Sequence, residues 1–162
     1  MKIIGMSALT IPAVHALEEE CFSHPWSVDS IEESFGNPNS HFFVCMEEDN
    51  QVLGYISYYQ IRDEAFINNV AVTSTARRKG VGTALVQKAV ADASGNAASF
   101  LSLEVRRSNQ AAIALYEGQG FDLEGVRKKF YRDPEEDAFI YTIHFNQTVP
   151  PCCADTGKVE FI

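Results

Sequence analysis

The sequence predicts a mixed α/β domain. One central, mostly antiparallel sheet carries a single parallel strand–helix–strand crossover, with helices on both faces. Three observations carry this expectation. The hydrophobic period switches along the chain between helical spacing and alternation, in the order β, α, α, β, β, β, α, β, α, β, β. The strands from 41 to 72 follow one another through turns too short for a crossover, which makes them antiparallel neighbours. The stretch 65–105 reads strand, helix, strand, the signature of a right-handed parallel crossover.

The elements follow in order. Residues 2–6 make a first strand. Thr10 can cap a helix whose first turn tolerates Pro12 and whose apolar face carries Val14, Leu17 and Cys21, ending near Phe22. Ser27 caps a short helix to about Phe35, stopped by Gly36-Asn37-Pro38. Residues 41–46 and 52–59 form a hairpin about the polar turn Glu47-Glu48-Asp49-Asn50, and 65–72 is the next strand after Arg62-Asp63. Helical spacing of Val81, Ala84, Leu85, Lys88 and Ala89 marks a helix over 80–94. Residues 100–105 are nearly continuously apolar, as in a strand covered on both faces. Residues 109–119 are helical up to Gly120, and 123–130 and 138–145 pair about the turn Arg132-Asp133-Pro134-Glu135. The domain is expected over 1–146, with 147–162 as a tail after Pro150-Pro151.

A chain of 162 residues with 46% apolar and 22% charged residues has enough material for one core. No apolar run approaches the roughly 20 residues of a membrane span, and no secretory signal opens the chain. A soluble cytoplasmic protein is the expectation. Cys21, Cys45, Cys152 and Cys153 make no CxxC pair, and no two histidines stand four apart, so neither a disulfide framework nor a metal site is expected. The net charge of −9 lies wholly in residues 1–76, which hold 2 basic and 11 acidic side chains; residues 77–162 hold 11 of each. Such a chain is a poor non-specific nucleic-acid binder. Its acidic half could instead attract a cationic partner.

The basic residues cluster at Arg77-Arg78-Lys79, Arg106-Arg107 and Arg127-Lys128-Lys129. The first cluster runs into Gly80-Val81-Gly82-Thr83 at a helix start. Glycines admit close backbone approach, the helix end offers unpaired N–H groups, and three cations stand beside it. This suits a phosphate ligand; the alternative is a glycine-rich turn with a solvated basic face. A P-loop is excluded, because no Gly-Lys-Ser/Thr follows. A dinucleotide fingerprint fits poorly, because Leu85 stands where its third small residue belongs, although Glu104 lies about 20 residues on.

Downstream stands Leu103-Glu104-Val105-Arg106-Arg107-Ser108-Asn109, then Ala111-Ala112-Ile113-Ala114-Leu115-Tyr116-Glu117-Gly118-Gln119-Gly120-Phe121. Together with the preceding R-x-x-G-x-G, Pro25-Trp26-Ser27 and Asn69-Val70-Ala71-Val72, this pattern resembles the GNAT superfamily of acyl-CoA-dependent N-acetyltransferases. Within it the pattern is most similar to the RimI-type ribosomal-protein-alanine enzymes. The resemblance spans roughly 1–145 and is densest over 65–121. It implies acetyl-CoA as co-substrate, no metal, and the GNAT fold. It also implies that Val70, Ala71 and Val72 bind the acetyl and pantetheine groups through their backbone, where family members carry a β-bulge. Arg77, Arg78, Lys79, Gly80, Val81, Gly82 and Thr83 would hold phosphate, and Asn109 the CoA arm.

N-acetylation needs a neutral amine, a base for its proton and an acid for the departing thiolate. Glu104 is the only carboxylate between Asp92 and Glu117. Burial at the end of an apolar strand would raise its pKa and suit it to base work; the plainer reading pairs it with Arg106 or a lysine. The resemblance makes Glu104 the proton acceptor, directly or through water. It makes Tyr116, two helical turns after Asn109, the acid; otherwise Tyr116 is a core residue. The implied acceptor is the N-terminal amine, of Ala, on a cationic small-subunit ribosomal protein. Trp26, Asn69 and Tyr131 are the candidate acceptor residues, with Trp26 equally readable as a core aromatic. Rival readings keep acetyl-CoA but acetylate a small amine or a lysine, or bind CoA without catalysis. A monomer or weak dimer with no membrane partner is expected.

Overall fold

A computed structural model describes residues 1–145; the expected tail at 147–162, with Cys152 and Cys153, lies outside the described residues. The elements are β1 (Lys2–Gly5), α1 (Ile11–Cys21), α2 (Val28–Phe35), β2 (Ser40–Met46), β3 (Val52–Ile61), β4 (Glu64–Val72), α3 (Val81–Gly95), β5 (Phe100–Arg106), α4 (Gln110–Gly118), β6 (Asp122–Tyr131) and β7 (Glu136–His144). The expected order holds, with two short 3₁₀ turns added at Ala8–Thr10 and Ser74–Ala76. The strands form one sheet in the order β1-β2-β3-β4-β5-β7-β6. Among the described residues only β4 and β5 run parallel, and their pairing covers just Glu64↔Phe100 to Phe66↔Ser102. β7 inserts between β5 and β6, which leaves β6 as an edge strand, exposed along most of its length.

Strand alternation divides the apolar side chains between two cores. Val14, Leu17, Ile31, Phe42, Val44, Tyr55 and Ala71 pack under α1 and α2. Cys45, Ile56, Val81, Leu85, Val86, Ala89, Leu101, Leu103, Val105, Ile113 and Tyr116 pack under α3 and α4. Helices therefore cover both faces. A Cβ on Gly54 would lie 2.7 Å from the Ala71 carbonyl oxygen and 3.2 Å from Leu85 and Val81, so its bare backbone lets β3 sit close beneath α3.

Local expectations hold or fail for identifiable reasons. Ser27 caps α2 by accepting the Ser30 N–H at 3.1 Å. Thr10 does not cap α1 with its side chain. Its hydroxyl donates to the Ser7 carbonyl at 2.8 Å and closes the 3₁₀ turn instead. Gly36 ends α2 in right-handed geometry, φ −75°, so the stop does not rest on a left-handed glycine. Lys88 lies over the Phe43 ring at 5.0 Å, while Val86, outside the spacing that marked the helix, is buried in the core.

Candidate active site

Beyond Phe66 and Ser102, β4 and β5 part. β4 carries a bulge there: Ser57 pairs with Asn69 and Tyr58 with Ile67, which leaves Asn68 unopposed. A bulge bends its strand and increases its twist, which turns β4 away from its neighbour. The parting exposes backbone groups of both strands to a cleft of about 710 Å³. Tyr59 and Phe66 line it where the strands still pair, stacked at 5.2 Å, and Phe100, outside the lining, backs Phe66 edge-on at 5.6 Å.

Glu104, Asn109, Tyr116, Asn69, Val70 and Tyr131 all line this cleft. Leu101, Leu103 and Val105 face the α3/α4 core, so Glu104 projects from the opposite face of β5. Tyr116 comes from α4, on the α3/α4 side. The two meet one cleft from its two faces because the sheet is open between β4 and β5. Asn109 caps α4, its Oδ1 accepting the Ala112 N–H at 3.2 Å, which leaves its amide N–H groups for a ligand.

The burial expected of Glu104 is absent: the residue is exposed to the cleft. Its partner is neither Arg106 nor a lysine but Arg127, whose Nε lies 3.0 Å from Oε1. Tyr116 is buried, and burial pushes its phenol above the ordinary tyrosine range, with the nearby Tyr131 adding to the shift. Among the described residues nothing hydrogen-bonds its hydroxyl. Tyr131 is raised by burial and then by the charge of Glu104, so one phenol stands in electrostatic contact with both Glu104 and Tyr116.

Arg106 is engaged by the β6–β7 hairpin. It donates to the carbonyls of Pro134 (3.0 Å) and Arg132 (3.2 Å), meets Glu136 at 3.2 Å, and lies over the Tyr131 ring at 4.4 Å. The β6–β7 hairpin is thereby clamped over the cleft. Glu136 also accepts the Ser108 N–H, and Asp137 accepts the Lys129 N–H at 2.9 Å. These bonds from Ser108, helped by Arg106, hold Glu136 below the usual carboxylate range; the Lys129 N–H, helped by Lys128, does the same for Asp137. A lowered folded pKa stabilises above the unfolded value, about 4.3 for Glu and 3.9 for Asp, and is lost as pH falls through the folded value. Amide exchange should therefore show protection at Ser108 and Lys129 falling below about pH 4, ahead of the β3 core amides. Protection that persists to about pH 2 would count against the clamp.

The expected phosphate loop lies just past β4. Gly80 adopts φ +85°, a left-handed conformation that glycine takes without strain, and opens α3 at Val81. A Cβ on Gly82 would lie 3.3 Å from Leu115, so this glycine lets the start of α3 approach α4. Arg78 and Lys79 are exposed beside the helix end. Arg77 turns back instead: its Nε donates to the Val72 carbonyl at 3.0 Å and its Nη2 lies 3.4 Å from Cys21 Sγ. The helix end and these two cations, free of ion pairs among the described residues, suit a phosphate-bearing ligand whose arm runs into the parted strands. Among the described residues, no group of three His, Cys, Asp or Glu side chains could hold a metal, and no helix is long and apolar enough to cross a membrane.

Two acceptor candidates have their side chains engaged outside the cleft. Trp26 does not line the cleft; it packs against the α1/α2 core. Phe22 and Ser23, from the segment that precedes it, line the cleft instead. Asn69 lines the cleft, but its Nδ2 is committed to Glu18 at 2.7 Å and Tyr55 at 3.2 Å. Sequence reasoning missed Arg127 and Glu18. Arg127 gave only a charge-cluster signal. Glu18 carried a better one, because it falls in the helical stripe Val14, Leu17, Glu18, Cys21.

The profile of the Acetyltransferase (GNAT) family matches residues 11–121. A Bacillus subtilis (strain 168) protein named as a candidate [ribosomal protein bS18]-alanine N-acetyltransferase is 36% identical over 138 residues, 85% of this chain and 91% of its own. The Escherichia coli (strain K12) [ribosomal protein bS18]-alanine N-acetyltransferase is 30% identical over 143 residues, 87% of this chain and 95% of its own. The crystal structure of the ribosomal-protein-S18-alanine N-acetyltransferase from Escherichia coli superposes with a TM-score of 0.84 at 28% identity, over 93% of this chain and 97% of that one.

Proposed function

Because this chain belongs to the acetyltransferase (GNAT) family, we propose that it moves the acetyl group of acetyl-CoA to a protein N-terminus. The acceptor is the α-amine of an Ala-initiated, cationic ribosomal protein in the cytoplasm. The observation that carries this reading is the opening between β4 and β5, with Glu104 reaching it from one sheet face and Tyr116 from the other. The names of the relatives, both specifying an alanine on ribosomal protein bS18, support the acceptor class.

Acetyl-CoA supplies the acetyl group as a thioester. Arg78, Lys79 and the N-terminal turn of α3 from Gly80 through Thr83 hold its phosphates, and Arg77 steadies the end of β4 beside them. Backbone groups of Val70, Ala71 and Val72 align the pantetheine arm and acetyl group, and Asn109 adds an amide contact. N–H groups freed at the bulge suit the carbonyl oxygen as it gains charge. Glu104 takes the proton from the acceptor amine, directly or through water, on the face where Phe22, Ser23 and Tyr131 form the acceptor walls. Tyr116 gives a proton to the departing sulfur. No cysteine is required: Cys21 is engaged with Val72 and Arg77, and Cys45 is buried in the sheet.

Isothermal titration with acetyl-CoA, followed by an Ala-initiated ribosomal N-terminal peptide and measurement of thiol release, tests the whole reading. Binding with peptide-dependent release is expected. Release with polyamines, aminoglycosides or lysine peptides instead would reassign the acceptor. Binding without release to any amine would make the chain a CoA-binding module, and no binding would overturn the reading.

A further inference from the structure

We propose that Glu18 is a positioning residue that fixes the acceptor wall of the cleft against β4. Glu18 lies on α1, is 1% exposed, and takes no part in the mechanism above. Among the described residues its carboxylate meets only donors. Oε2 accepts the Trp26 backbone N–H at 3.0 Å. Oε1 accepts the Tyr55 hydroxyl and the Asn69 amide, the latter at 2.7 Å. Burial, then the charge of Glu18, drives the Tyr55 phenol upward, so it stays protonated and donates.

The three donors come from three places. Trp26 belongs to the segment between α1 and α2, whose residues Phe22 and Ser23 line the cleft. Tyr55 lies on β3, and Asn69 on β4 directly after the bulge. One buried carboxylate therefore ties the cleft's loop wall to the strand opposite it. The Trp26 carbonyl is held from the same helix by His15 Nδ1 at 3.0 Å, so both backbone groups of Trp26 are pinned to α1. The segment 22–27 has no helix or strand of its own to set its position. A buried carboxylate with three donors in place is well satisfied; removing it leaves those donors unpaired.

The donor geometry separates two substitutions. A glutamine can turn its carbonyl oxygen to the Trp26 N–H, which cannot change role, and its NH₂ to the Tyr55 hydroxyl, which can accept, while Asn69 turns its amide to present Oδ1 in place of Nδ2. Glu18→Gln therefore preserves the loop tie. Glu18→Leu removes it, and Glu18→Asp keeps the charge but is one methylene too short to reach both sides. Tyr55→Phe removes one donor and leaves the Trp26 tie intact.

The inference rests on the proposed function for its acceptor-side consequence, but the tie has its own readout. Trp26 is the chain's one tryptophan, so its emission and acrylamide quenching report the segment directly. In the full chain, Glu18→Leu should raise Trp26 quenching and lower kcat/KM for an Ala-initiated peptide about 10- to 100-fold, with the acetyl-CoA KM within about twofold. Glu18→Gln should stay near wild type in both, and Tyr55→Phe should lower Tm while leaving both readouts in place. Should the leucine variant not fold, Glu18→Asp should move the same two readouts in the same direction. Unchanged Trp26 quenching in the leucine or aspartate variant overturns the tie. Raised quenching with an unchanged peptide kcat/KM, or equal rises in both substrates' KM, overturns the positioning role. If wild type transfers to no Ala-initiated peptide, the functional reading fails while Trp26 still decides whether Glu18 holds the wall.

Discussion

Glu104→Gln should lower kcat/KM for peptide acetylation at pH 7 by about 10²- to 10⁴-fold, the usual contribution of a positioned general base. Acetyl-CoA affinity should be unchanged, because Glu104 faces the side of the sheet away from α3 and α4. The pH dependence gives the sharper test. A free α-amine has a pKa of about 7.7–8.0, so about a tenth is neutral at pH 7 and most is neutral by pH 9. The variant must wait for solution to remove the proton, so its deficit should shrink steadily as pH rises. A constant deficit from pH 6 to 9 would assign Glu104 to binding or structure, and wild-type rates throughout would remove it from the reaction. Stability should barely move. The pair with Arg127 is open to solvent, and such pairs contribute about 0–1 kcal/mol.

That partnership marks a boundary of what the sequence makes legible. Caps and short-range motifs are local, so Ser27 and Asn109 are readable from residue type and spacing alone. Glu104, Asn109 and Tyr116 come together because one strand runs directly into one helix. Arg127 joins them only because β7 inserts between β5 and β6, and no local pattern encodes that placement. The bulge is likewise invisible, since one unopposed residue at Asn68 is decided by pairing with β3. Arg106 and Arg77 show how far a charge cluster is from a contact list. Both sit in basic clusters that suggest an anion, yet backbone carbonyls and ring faces engage them, because a guanidinium satisfies five donors wherever the fold offers acceptors. Trp26 was readable either as core or as groove, and the core reading holds for its side chain while its backbone secures the groove.

Tyr116→Phe should reduce kcat by about 10²- to 10³-fold, the loss seen when one donor to a developing negative charge is removed. At first sight Tyr116 is a poor acid. Burial holds its phenol above the ordinary value of about 10, whereas a free thiol titrates near 8.5. The comparison belongs inside the cleft, however. The same desolvation that disfavours the phenolate also disfavours a thiolate beside it, so the two scales rise together and the mismatch narrows. The raised phenol also stays protonated across the working range, ready to donate. The acidity of the leaving thiol can then be varied. With an aryl thioester, whose thiolate departs unaided, the deficit of Tyr116→Phe should shrink towards unity, while that of Glu104→Gln should persist. A deficit independent of the leaving group would place Tyr116 in packing alone. Packing itself predicts little change, because phenylalanine keeps the ring against Phe121 at 5.7 Å. Among the described residues the hydroxyl has no hydrogen-bond partner to lose. The hydroxyl opens on the cleft and is not sealed unpaired in the core, so its loss costs little stability, and an unchanged Tm together with a slowed, leaving-group-dependent kcat separates an acid from a core residue.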